Sequence, residues 1–229
     1  MITLQNVTKS YALNNHKRHM VLDDISYIFS EGVNTGILGL NGSGKSTLLR
    51  ILSGASFPDK GRVIRNSTIS WPVAFSGCIA GNLTGYQNLR FISRIYKSNY
   101  QRDKAFVEEF TELGDYLNEP VKSYSSGMKS KLAFAFSMAI GFDFYLVDEA
   151  FSVGDATFKQ KSIDIFKKKA KEATLIVVSH SISSVKTLCR KALVLDKSKL
   201  IEHKTIEESI LHYQSLAKSP SLSQPGRII

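Results

Sequence analysis

The chain has 229 residues, 43% hydrophobic and 22% charged, with a formal net charge of +10. That is the composition of an ordinary globular protein, long enough to bury a proper core. It excludes several classes: no apolar run approaches the ~18–20 residues that span a bilayer, and Met1-Ile2-Thr3-Leu4-Gln5 lacks the basic head and apolar core of a signal peptide.

Cys78 and Cys189 show no paired spacing, which argues against a disulfide scaffold or a zinc site and fits a reducing cytosol. The basic balance fits nucleic acid, an anionic membrane surface, phosphate ligands or simply a cation-rich solvated surface.

In chain order, Ile2 to Val7 and Met20 to Phe29 read as strands around a polar basic stretch, and Val33 to Leu38 as a short apolar strand. A glycine-rich turn leads into a helix from Lys45 to Ser53, and Gly61 to Ile69 reads as more strand. Helical periodicity runs from Thr84 to Ile140, broken near Asn118-Glu119-Pro120. Phe142 to Val147 is an apolar run of strand length, after which helix and strand recur through Leu195. Ser219 to Gly226 is rich in Ser, Pro, Gln and Gly, and residues 219–229 are expected to be a disordered tail. Alternating strands and helices imply an α/β fold with a mostly parallel sheet covered on both faces. There is no internal repeat.

Gly39-Leu40-Asn41-Gly42-Ser43-Gly44-Lys45-Ser46 matches the phosphate-loop pattern of glycine, four residues, Gly-Lys-Ser, between a strand and a helix. Glycines let the backbone approach phosphate oxygens, successive N–H groups form an anion nest, and the helix start adds partial positive charge. Lys45 brings a full charge to the β- and γ-phosphates, the Ser46 hydroxyl ligates Mg²⁺, and Thr47 bonds a phosphate beside it. Phe144-Tyr145-Leu146-Val147-Asp148-Glu149 is an apolar strand ending in two carboxylates. At the carboxyl edge of a parallel sheet, Asp148 is expected to hold Mg²⁺ indirectly, through the ion's coordinated water, and Glu149 to orient and polarise the attacking water.

Tyr124-Ser125-Ser126-Gly127-Met128-Lys129 opens a helical pattern with Leu132, Phe136 and Ala139 on one face. Serine at a helix start caps the orphan amides, and a following glycine admits a phosphate. This segment resembles the signature motif of ABC cassettes through Ser125 and Gly127, while Tyr124, Ser126 and Met128 depart from its usual form. The resemblance implies further roles: adenine stacking for Tyr11, a D-loop at Ser152-Val153-Gly154-Asp155 with Asp155 as its acid, and a γ-phosphate contact for His180 after the strand Leu175 to Ser179. The Q-loop glutamine of the family has no counterpart between Ile69 and Leu83, where Phe75 or Ser76 stands instead.

Together with Ile69-Ser70-Trp71-Pro72, Leu83-Thr84-Gly85, Asn88 and Ala139-Ile140-Gly141-Phe142-Asp143, the signature looks like that of ATP-binding subunits of bacterial capsular polysaccharide exporters. The resemblance implies one nucleotide-binding domain over residues 1–218, with a RecA-like core, an antiparallel β-subdomain and a helical subdomain at about 83–138. It implies ATP and Mg²⁺ as ligands and a homodimer sandwiching ATP. It also implies a separate integral-membrane permease and a peripheral place on the cytoplasmic side of the inner membrane. Export of O-antigen or teichoic acid, a non-transport ABC ATPase acting on nucleic acid or ribosomes, and a regulatory module without hydrolysis remain open at this point. The lysines at 159, 161, 167, 168, 169 and 171 read as a solvated helix face with a weak attraction to anionic lipid.

Overall fold

Two sheets of different character account for the strand-like runs. The structure, a computed structural model, describes residues 1–13, 17–73, 77, 79–148 and 156–218. The first sheet is three-stranded and antiparallel, ordered β2-β1-β4, from β1 (Ile2–Ala12), β2 (Arg18–Phe29) and β4 (Lys60–Arg65). The second is six-stranded, ordered β5-β6-β7-β3-β8-β9. Its members are β3 (Thr35–Leu38), β5 (Ile69–Pro72), β6 (Phe144–Asp148), β7 (Thr174–Val178), β8 (Lys191–Asp196) and β9 (Lys199–Glu202). Only the β8–β9 pairing is antiparallel.

Most boundaries shift by one or two residues from the sequence reading, and two differ by more. The first strand continues past Val7 to Ala12, across register shifts that bend it while it stays paired to β2. The stretch Gly61 to Ile69 is not one strand. Arg65 ends the antiparallel sheet, and Ile69 starts an edge strand of the parallel one beside Phe144. Asp143 holds this crossing, because its carboxylate accepts bonds from the Thr68 amide at 2.7 Å and hydroxyl at 2.8 Å.

Period-two alternation divides the central strands between two cores. Ile37, Leu146, Ile176 and Leu193 face the antiparallel sheet and α1 (Lys45–Leu52). Leu38, Tyr145, Val147, Leu175 and Val177 face a helical layer. That layer is built from α2 (Gly85–Ile95), α3 (Tyr100–Thr111), α4 (Ser126–Ala139), α5 (Ala156–Glu172), α6 (Ile182–Leu188) and α7 (Ile206–Lys218). The second half of α4 is buried on all sides from Leu132 to Ala139, beyond the single face expected of it. Phe134 meets Phe110, Phe158 and Phe166 with ring centroids 5.1–5.7 Å apart, so α3, α4 and α5 share one aromatic cluster.

The break expected at Asn118-Glu119-Pro120 is a pair of 3₁₀ turns, Gly114–Asn118 and Val121–Ser123. Asn88 pins the loop before α2: its side-chain amide donates to the Ala80 and Thr84 carbonyls at 3.0 and 2.9 Å and accepts from the Ala80 amide at 2.8 Å. Among the described residues no helix is long and apolar enough to cross a membrane.

Candidate functional site: a phosphate loop at the sheet edge

The register of the parallel sheet decides what meets at its carboxyl edge. Ile37 lies beside Val178, and Val178 beside Asp148. The carboxyl ends of β3, β6 and β7 therefore lie on the same edge, the place where α/β sheets bind ligands. The loop after β3 is the glycine-rich turn. Gly44, at φ 105°, ends it as the N-cap of α1, and no side chain caps that helix. The amides of its first turn are left for a ligand. A Cβ on Gly44 would also stand 2.6 Å from the Val21 side chain, so the turn needs glycine for both backbone and space. Gly39 is held as closely, with a Cβ there 2.5 Å from the Ser43 hydroxyl and 2.8 Å from the Leu195 carbonyl.

Lys45 is buried, and its ammonium donates to the carbonyls of Gly39 at 2.8 Å and Leu40 at 2.9 Å. A full charge is thus stored against the loop that surrounds it, in a setting where an anion is the complementary partner. The Ser43 hydroxyl is buried and, among the described residues, has no hydrogen-bond partner.

A cavity of about 560 Å³ opens over this loop, lined by Tyr11, His19, Val21, Asn41, Gly42, Gly44, Lys45, Ser46, Thr47 and Asp148. That size suits a nucleotide-sized ligand. Its lining brings together Lys45, Ser46 and Asp148 with the exposed Tyr11, whose hydroxyl stands 3.5 Å from that of Thr47. A hydroxyl and a carboxylate are hard oxygen donors, which fits Mg²⁺ completed by water and phosphate oxygens; among the described residues there is no group of three or more His, Cys, Asp or Glu side chains that could hold a metal by themselves.

Several expected site residues lie elsewhere. Leu40 and Gly39 shape the loop without lining the cavity. His180 follows β7 on the same edge as an exposed residue, also outside the lining. Ser125 caps α4, its hydroxyl accepting from the Met128 amide at 3.2 Å; a Cβ on Gly127 would meet only that hydroxyl, at 3.9 Å. Neither belongs to the Lys45 cavity of its own chain. Glu149, Asp155, the rest of the expected D-loop, Phe75 and Ser76 lie outside the described residues, as does the tail 219–229.

His19 and Val21 are the cavity residues that sequence reasoning missed, and His19 is the polar one. No motif marks it. Its signal is register alone, since it pairs directly with Tyr11 across β1 and β2.

A phosphate loop on a parallel sheet, an antiparallel sheet at its side and an inserted helical layer define the class: a P-loop nucleotide-binding cassette. The ABC transporter family model matches residues 22–152, more than half of the chain. The chain is 48% identical to the capsule polysaccharide export ATP-binding protein CtrD of Neisseria meningitidis serogroup B, over 94% of this chain and 100% of that one. It is 45% identical to the polysialic acid transport ATP-binding protein KpsT of Escherichia coli, over 93% and 96%. In fold it is similar to the ATP-binding cassette MJ0796, solved as a dimer in a post-hydrolysis state with ADP and Pi, at a TM-score of 0.77 and 22% identity over 90% of this chain and 99% of that one. The chain belongs to the ABC transporter family, within its group of capsule polysaccharide export ATP-binding subunits.

Proposed function

We propose that this chain binds and hydrolyses ATP to drive export of a capsular polysaccharide through a separate membrane permease, from the cytoplasmic side of the inner membrane. The observation that carries the chemistry is the single cavity joining Tyr11, the glycine-rich loop, Lys45, Ser46, Thr47 and Asp148. The aromatic ring takes the base, and the loop amides with Lys45 take the phosphates. Ser46 and Asp148 hold Mg²⁺, which when bound neutralises phosphate charge. Asn41, Gly42 and Ser43 shape the phosphate cradle, while Glu149 orients the attacking water. His180, one strand away from Asp148 on the same edge, contacts the γ-phosphate, and Asp155 supports the site from the loop beyond Glu149. Phosphoryl transfer asks the protein mainly for position and charge, and these residue types supply both.

Ser125 and Gly127 need a phosphate delivered to them, because they stand apart from their own chain's Lys45 cavity. A two-fold pair of chains delivers it: each ATP lies between one chain's Lys45 loop and the other's α4 start. The test pairs two damaged chains in one isolated heterodimer, Lys45→Ala in one and Gly127→Asp in the other, both carrying Glu149→Gln to stop turnover. The arrangement predicts about one trapped ATP per heterodimer, since one composite site keeps both halves intact. No trapped ATP in a folded heterodimer rejects it.

A further inference from the structure

Among the described residues, three that line the cavity lie outside the phosphate loop, α1 and β6: Tyr11 on β1, and His19 and Val21 on β2. Val21 is where β2 touches the loop, since a Cβ on Gly44 would stand 2.6 Å from its side chain. His19 is two residues earlier on the same strand and lines the same cavity, one same-face step of ~6–7 Å along β2, a step that a ribose spans. Across the two strands His19 is paired directly with Tyr11. Side chains paired in this way have Cβ atoms ~4.5–5.5 Å apart, so an imidazole stands beside a phenol ring. The Tyr11 hydroxyl is 3.5 Å from that of Thr47, so its polar end is turned toward α1. The flanking cations Lys9 and Arg18 are both engaged by Asp59, at 2.9 and 3.1 Å. The His19 side chain is exposed and, among the described residues, has no hydrogen-bond or ionic partner.

We propose that His19 reads the nucleobase: its imidazole hydrogen-bonds the edge of a base stacked on Tyr11 and sets the preference of the site among nucleoside triphosphates. The proposal rests on the ATP reading above and adds the residue that distinguishes the base. An aromatic face stacks on every base and so selects none. Val21 is apolar. The polar lining residues of the loop, α1 and β6 meet phosphate and its metal ion, which all nucleoside triphosphates share. Among the described lining residues, His19 is therefore the polar group placed to tell one base from another. A ring N–H donates and a bare ring nitrogen accepts, while adenine presents an amino donor where guanine presents a carbonyl acceptor. A site that hydrogen-bonds one base edge leaves its own group unpaired against the other, and that costs affinity.

The test titrates the full chain with Mg-ATP, Mg-GTP, Mg-CTP and magnesium tripolyphosphate by calorimetry, beside His19→Ala, His19→Gln and His19→Phe. Equal thermal midpoints without ligand establish that the four proteins fold alike. The native chain should bind ATP more tightly than GTP or CTP. His19→Ala should weaken ATP binding about three- to tenfold, the loss of one hydrogen bond. It should narrow the ATP-to-GTP and ATP-to-CTP ratios by a similar factor and leave tripolyphosphate unchanged. His19→Gln keeps a donor and an acceptor and should recover most of the loss, while His19→Phe keeps only a ring and should not. Unchanged ATP affinity in His19→Ala overturns the proposal. So does a native chain that binds the three nucleotides alike, or a loss that leaves the ratios where they were. Equal weakening of tripolyphosphate overturns it in favour of a phosphate contact, and full ATP affinity in His19→Phe overturns it in favour of stacking. Each of these results leaves the ATP reading intact, whereas failure of the native chain to bind any of the nucleotides overturns both.

Discussion

At the residue scale, the site stores charge before a ligand arrives. Lys45 is buried and donates to two loop carbonyls, and a bound phosphate would add charged hydrogen bonds to its ammonium. Charged hydrogen bonds are each worth about 1.5–3 kcal/mol, and Lys45→Ala is accordingly expected to weaken ATP binding by roughly tenfold to a hundredfold or more. Isothermal titration with Mg-ATP measures this, and an unchanged affinity in a folded variant would remove Lys45 from the site. A second residue tests burial. Cys189 caps the C-terminal end of α6, and burial pushes its thiol up to about 12. Its thiolate is therefore scarce at pH 8, and reaction with a thiol reagent should be slow in the native chain and fast in denaturant. The comparison belongs in a Cys78→Ser background. Equal rates in both conditions would contradict the packing around Cys189.

The phosphate loop was legible because its chemistry is local: glycines, a lysine and a serine in fixed order between a strand and a helix. The N-cap at Ser125 was legible for the same reason, since a serine before an apolar helix has one obvious hydrogen-bond partner. His19 was not, because its place in the cavity depends on which residue of β1 it faces.

At the scale of elements, alternation located strands and could not say which sheet owns them. The run from Gly61 to Ile69 looks continuous, yet Arg65 and Ile69 belong to different sheets, and only long-range pairing with Ile2 and Phe144 separates them. The antiparallel sheet has its own clamp. Asp59, just before β4, accepts from Lys9 at 2.9 Å and from the Ser10 amide and hydroxyl at 2.8 Å, with Arg18 at 3.1 Å. The Lys9 bond first, then those from Ser10, holds its carboxyl well below the usual range. A depressed folded-state value stabilises the fold above the unfolded value, about 3.9 for aspartate, and that contribution is lost as pH falls below it. Asp59→Asn should therefore lower the urea midpoint at pH 6 and differ less from the native chain near pH 3. A gap that stays constant or widens on acidification would contradict the clamp. The carboxyl is partly exposed, so the effect is small beside core burial.

At the scale of the molecule, the two cores share one parallel sheet, and the nucleotide cavity forms where that sheet, α1 and the antiparallel sheet meet. The start of α4 lies outside that cavity, while α2 turns its cations and exposed apolar side chains outward. The helices α2 and α4 are packed into one helical layer around a common core. The direct measurement is polymer at the cell surface in a capsule-producing host that lacks its own export ATPase and carries this chain with its permease. Native chain should restore surface polymer, while Lys45→Ala and Glu149→Gln, present at equal levels, should leave the polymer inside the cell. Surface polymer at native levels with Lys45→Ala would contradict ATP-driven export by this chain.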